Sequence, residues 1–138
     1  MNLVTIRIIT EQIEPIVNFY KNITQADVVT YTPEFAELRT AWATLAIGSI
    51  KTLAFFDGEN IAQPASNRTM ILEFSVADVD QQYKEISEFI RDSLVQAPKT
   101  MPWGNRSMLF RDPDGNLINF FTPQTDEAKQ RGRVENLS

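Results

Sequence analysis

A chain of 138 residues with 43% hydrophobic side chains can bury one domain, or two fused half-domains, without disulfides or a structural metal. It has neither cysteine nor histidine, so any chemistry falls to carboxylates, lysine, tyrosine, hydroxyls or a borrowed cofactor. Its 18 acidic and 13 basic side chains leave a formal charge of -5 and no basic stripe, which argues against a nucleic-acid partner.

The first ten residues alternate and carry Arg7. They suit a strand rather than a signal core or a membrane span, so a cytoplasmic location without membrane contact is expected. In that strand Val4, Ile6 and Ile8 alternate with Thr5, Arg7 and Ile9. The next apolar positions, Ile13, Ile16, Val17 and Tyr20, have helical spacing. Pro15 would cost about 3 kcal/mol inside a helix and is tolerated only in its first turn. The helix is therefore predicted from near Glu14 to near Asn22, with Glu11 and Glu14 close to its positive end. Three strand-like runs follow, over 27–32, 41–47 and 50–56, with Gly48-Ser49 as a tight turn between the last two.

A polar stretch with Gly58 and Pro64 then reads as a linker, and the pattern restarts. Residues 69–76 alternate, with Leu72, Phe74 and Val76 on one side. Asp78 is placed to cap a helix, with Gln81 three residues on, and Val79, Tyr83, Ile86 and Ile90 form its apolar stripe. Strands are predicted over 94–97, 106–111 and 117–121, the last two joined at Asp114-Gly115. Superposing the halves sets Ile6 on Leu72, Ile8 on Phe74, Ile13 on Val79, and Gly48 on Gly115. The organisation expected is a βαβββ module over 1–58, a linker over 59–68, a second module over 69–123, and a polar tail over 124–138, either a frayed helix or disordered. Phe55-Phe56 and Phe120-Phe121 are expected as matched pairs ending the fourth strands, one ring of each toward the helices and the other toward the cavity.

The run Pro102-Trp103-Gly104-Asn105-Arg106-Ser107, followed by Arg111-Asp112-Pro113-Asp114-Gly115-Asn116-Leu117-Ile118, resembles the C-terminal signature of the vicinal oxygen chelate superfamily. That group includes glyoxalase I, the extradiol dioxygenases, the fosfomycin-resistance enzymes and the bleomycin-resistance proteins. The resemblance extends over about residues 3–123, taking in Phe19-Tyr20 and Val76-Ala77-Asp78-Val79-Asp80. It implies an α+β fold in which tandem βαβββ modules form a U-shaped, mostly antiparallel eight-stranded sheet. It also implies metal ligands at Thr5, Thr52, Ile71 and Asn119. Isoleucine cannot coordinate, threonines are poor ligands, and Glu73 alone adds a displaced carboxylate. The closest character is that of the metal-free bleomycin-resistance-like members, so no cofactor is expected, and the partners implied are a small-molecule ligand and a second copy in a homodimer.

The residues expected to meet that ligand are Trp103, Arg7, Glu73, Asn119, Trp42 and Phe121. Trp103 either stacks on a planar ligand or packs beneath the hairpin, and Trp42 either lines the cleft or sits in the core or a dimer contact. Arg7 and Glu73, equivalent in the two modules, either pair with each other or orient the ligand. Two further functions remain open: a lyase, dioxygenase or transferase using Glu73 and Asn119 at a noncanonical metal site, and a catalytically silent dimeric module.

Overall fold

Residues 1–57 and 60–131 are described by the computed structural model. Met1–Arg68 with Asp112–Gly115 make one compact unit, and Thr69–Arg111 with the chain from Asn116 onward make a second. Among the described residues no helix is long and apolar enough to cross a membrane. Residues 132–138 of the tail, and Gly58 and Glu59 where the first module was expected to meet the linker, lie outside the described residues.

The first unit runs β1 (Thr5–Thr10), α1 (Ile13–Ile23), β2 (Asp27–Thr32), β3 (Phe35–Arg39) and β4 (Thr44–Ser49). Its sheet has the order β1-β4-β3-β2, with β1 parallel to β4 and the other pairs antiparallel. The parallel pair is possible because the helix and two strands intervene between its members. Pro15 is the third residue of α1, where its missing N–H breaks no helical hydrogen bond. The helix buries Ile16, Val17, Phe19, Tyr20 and Ile23, and the sheet buries Ala36, Leu38, Leu45 and Ile47. Each large side chain fully withdrawn from water contributes roughly 1.5–3 kcal/mol.

The first hairpin differs from the sequence expectation. Gly48 and Ser49 are not a turn but paired residues of β4, opposite Ile9 and Thr10. The reversal lies at Thr40–Ala43, overlapping the start of the run expected to be a strand over 41–47. There the Thr40 hydroxyl accepts from Trp42 N at 3.3 Å and Ala43 N at 3.1 Å, and donates to the Ala43 carbonyl at 2.7 Å. A hydroxyl satisfying three backbone groups outweighs the weak strand preference of its neighbours. The strand expected over 50–56 is a 3-10 helix, Ile50–Phe55. Ser49 caps it by accepting from Lys51 N at 3.1 Å, and the Thr52 hydroxyl donates to the Ser49 carbonyl at 2.7 Å. Phe55 is 89% exposed, so it and Phe56 do not match Phe120-Phe121.

The second unit repeats the topology with β5 (Ile71–Ser75), α2 (Val79–Ile86), β6 (Leu94–Thr100), β7 (Asn105–Arg111) and β8 (Leu117–Pro123), followed by α3 (Asp126–Arg131). Its sheet order is β5-β8-β7-β6, again with one parallel pair, β5 and β8. Asp78 caps α2 by accepting from Gln81 N at 3.1 Å. The Thr122 hydroxyl accepts from Val79 N and donates to the Val76 carbonyl, both at 2.9 Å, fixing the helix start against β8. Phe74, Phe110 and Phe120 form an edge-to-face cluster with centroids 5.1 and 5.5 Å apart. Arg106 grips Asp80 with two hydrogen bonds of 2.8 and 3.0 Å, tying β7 to α2. This α+β architecture, two βαβββ modules with four strands each, is the expected one.

The reversal Asp112–Gly115 joins β7 to β8 in sequence yet packs as part of the first unit. Pro113 supplies the fixed φ, and Gly115 takes φ +83° and donates to the Asp112 carbonyl at 2.9 Å. The buried Tyr20 hydroxyl donates to Asp112 Oδ2 at 2.8 Å, and Gln12 Nε2 donates to Asp114 Oδ1 at 2.7 Å. Burial first, then the Asp112 charge, pushes the Tyr20 phenol far above its usual range.

Candidate functional site

Because strand side chains alternate, each sheet has a face toward its helix and a face away from it. In the first unit Thr10 marks the helix side, its hydroxyl accepting from Gln12 N at 3.0 Å just before α1. In the second, Thr122 marks it at α2. The opposite faces carry the polar residues. One register row there reads Arg7, Ala46 and Glu37 across β1, β4 and β3. Its counterpart in the second unit reads Glu73, Asn119 and Leu109 across β5, β8 and β7.

Pairing therefore corrects the superposition of the halves. Ala46, not Thr52, is the counterpart of Asn119, and Gly48 in a strand does not correspond to Gly115 in a reversal. Thr5 pairs with Thr44, one row from Ala46 on the same face, and Ile71 with Leu117, one row from Asn119 on the same face. Glu73, placed two residues beyond the expected ligand position, is the direct neighbour of Asn119.

In the second unit Asn119 Nδ2 donates to Glu73 Oε2 at 2.8 Å. Asn119 is only 8% exposed, and its Oδ1 is buried with no partner among the described residues. A buried carbonyl oxygen left so costs about 1–3 kcal/mol, which an incoming hydrogen-bond donor would recover. Phe121 lies on this face with Ser75 and Ser107, partly buried, whereas Phe120 turns to the core side. The two rings thus lie on opposite faces of the sheet, as expected.

In the first unit Arg7 stacks on Phe35, its guanidinium carbon 4.9 Å from the ring centre. Tyr31, Glu37 and Arg39 share this face. Arg39 Nε donates to Glu37 Oε2 at 3.2 Å and Nη2 donates to the Tyr31 hydroxyl. Arg7 and Glu73 thus each have a partner within their own unit. Sequence reasoning missed Phe35, Glu37 and Arg39 because β3 was not anticipated, and Tyr31, on the anticipated β2, because its neighbours on β3 were not. The signal was present: Thr32-Pro33-Glu34 as a turn, then Ala36 and Leu38 alternating with Phe35, Glu37 and Arg39.

The two tryptophans stand apart from these rows. Trp42 is at the tip of the Thr40–Ala43 turn and 69% exposed, so it is neither on a strand nor in the core. Trp103 lies in the turn between β6 and β7, 56% exposed rather than packed beneath the hairpin. Its carbonyl accepts from Arg131 Nη2 in α3. The following Gly104 has φ +93°, and its backbone lies against Thr125.

A divalent ion needs three or more well-placed nitrogen or oxygen donors, normally with carboxylate charge. The row of the first unit offers one carboxylate, Glu37, already paired with Arg39, beside the Arg7 guanidinium and the Ala46 methyl. The row of the second offers one carboxylate and one carboxamide, Glu73 and Asn119, beside Leu109. These residues do not fit a divalent metal. Among the described residues no group of three or more Asp or Glu side chains is placed to hold one.

Residues 2–120 match the family model described as Glyoxalase/Bleomycin resistance protein/Dioxygenase superfamily. A curated relative, the uncharacterized protein YraH of Bacillus subtilis (strain 168), is 26% identical over 125 residues, covering 88% of this chain and 98% of YraH. Among solved structures, a glyoxalase/bleomycin resistance protein/dioxygenase from Nocardioides superposes with TM-score 0.72 at 20% identity, covering 100% of this chain and 90% of its own. A lactoylglutathione lyase from Agrobacterium tumefaciens superposes with TM-score 0.66 at 17% identity, covering 88% and 92%. At such identities the structural likeness is one of fold.

Proposed function

The chain belongs to the glyoxalase/bleomycin resistance protein/dioxygenase superfamily, and from that premise we propose that it binds a small organic molecule without a metal and sequesters it. The observation that carries this reading is the Glu73–Asn119 pair. The Glu73 carboxylate already accepts a hydrogen bond from the adjacent carboxamide, whose own oxygen is buried and has no partner among the described residues. That arrangement suits a ligand bringing a hydrogen-bond donor better than a cation demanding several anionic oxygens.

Such a protein has no need of a general acid or base, in keeping with a chain that has no histidine. The reading includes a cytoplasmic homodimer, with an antibiotic or an aromatic metabolite as its ligand. Calorimetric titration in EDTA with bleomycin-type drugs and a panel of aromatic compounds tests it. Binding of at least one compound, unchanged on adding Mn, Fe, Ni or Zn, is the expected result. Binding or turnover that appears only with metal overturns it, and sedimentation as a monomer overturns the dimer.

A further inference from the structure

Two arginines and two aromatic rings share the face of the first sheet opposite α1. Arg7 leaves β1, and its stem passes beside Gly48 of β4, where a Cβ would stand only 3.6 Å from Arg7 Cδ. Its guanidinium then rests on the Phe35 ring of β3. The Phe35 and Tyr31 rings are 6.0 Å apart and inclined by 36°, and the Arg39 guanidinium carbon lies 5.6 Å from the centre of the Tyr31 ring. The order across the face is cation, ring, ring, cation.

The two cations differ in what they have left to bind. Arg39 is balanced by Glu37, and one of its nitrogens is spent on the Tyr31 hydroxyl. Arg7 forms no ion pair with any described residue. Stacking occupies the flat side of a guanidinium and leaves its N–H edge free, the edge that receives a carboxylate through two parallel hydrogen bonds. Phe35 holds that edge in place, so little side-chain freedom remains to be lost on binding. Tyr31, half exposed, presents ring surface beside it.

We propose that this face binds a small aromatic carboxylate, with the carboxylate on Arg7 and the ring against Tyr31 and Phe35. The inference goes beyond the reading proposed above: it keeps binding without a metal, but it concerns the first unit and an anionic group, not the Glu73–Asn119 pair.

Calorimetry in EDTA with benzoate, acetate, benzamide and benzylamine tests it. Benzoate is expected to bind at least about tenfold more tightly than the other three. Raising the salt from about 0.05 to about 0.5 M should weaken it, because the contact is partly exposed. Arg7→Gln should cost about tenfold or more in benzoate affinity. Arg7→Lys, which keeps the charge but not the flat fork, should fall between it and the parent. Unchanged melting curves would show both variants folded. Benzamide or benzylamine binding as well as benzoate would overturn the anionic ligand while leaving metal-independent binding intact. Acetate binding as well would overturn the aromatic part. Benzoate affinity indifferent to Arg7→Gln, or no binding by any probe, would overturn the inference, with the wider drug panel deciding separately on the parent reading. Benzoate binding only with added metal would sink both.

Discussion

The hydrogen bond between Tyr20 and Asp112 joins α1 to a reversal 92 residues away, and Tyr20→Phe isolates it. The ring stays, including its edge-on contact with Phe19 at 5.4 Å, so the loss is that of one hydroxyl. A hydrogen bond to a charged group contributes about 1.5–3 kcal/mol, and here one buried carboxylate oxygen loses its phenol donor. A loss of roughly 2–3 kcal/mol is expected. At roughly 1.5–2 kcal/mol per molar of urea, the unfolding midpoint should fall by roughly 1–2 M. Urea unfolding at neutral pH, followed by tryptophan fluorescence and circular dichroism, measures this. A double-mutant cycle with Asp112→Asn should give a coupling of about 1 kcal/mol or more. Because the phenol is held protonated in the fold, the unfolded chain releases its proton first as pH rises past about 10. Stability should then decline with pH, and tyrosine ionisation should show a step coincident with unfolding that Tyr20→Phe lacks. A Tyr20→Phe change smaller than about 0.5 kcal/mol would refute the reasoning.

Gly104→Ala should destabilise by roughly 2 kcal/mol or more in thermal melts, since φ +93° is unfavourable for alanine and a Cβ would meet Thr125 Cγ2 at 2.9 Å. A neutral result would mean the turn and the Thr125 segment move apart freely. The Arg106 guanidinium holds the Asp80 carboxyl below its usual range, chiefly through the hydrogen bond. This contribution is present above the unfolded value of about 3.9 and is lost as pH falls through the lowered one. Acid titration of stability should therefore be shallower in Asp80→Asn, and identical profiles would remove the pair from the account. Asp78→Ala should cost about 1 kcal/mol by urea unfolding, through loss of the cap on α2, with Asp78→Ser restoring most of it.

Local chemistry settled much of this molecule before any tertiary contact was known. The apolar spacing around Ile16, Tyr20, Val79 and Ile86, the place of Pro15, the Asp78 cap and the Asp112–Gly115 reversal all act within a few residues, so each was legible in the chain. So was the absence of histidine and cysteine, which bounds the chemistry wherever the side chains fall. The first hairpin was not legible, because Thr40 turning the chain and Ser49 starting a 3-10 helix compete with neighbours of similar strand preference. Parallel pairing of β1 with β4 decided that contest by fixing which residues of β4 face the helix. Once that register was set, Thr52 left the candidate row, Ala46 entered it, and Glu73 came beside Asn119. Arg7 on Phe35, and Tyr31 next to Arg39, likewise depend on strands brought together across the sheet. Side-chain period marks which residues share a face, whereas only the pairing of distant strands decides which of them touch.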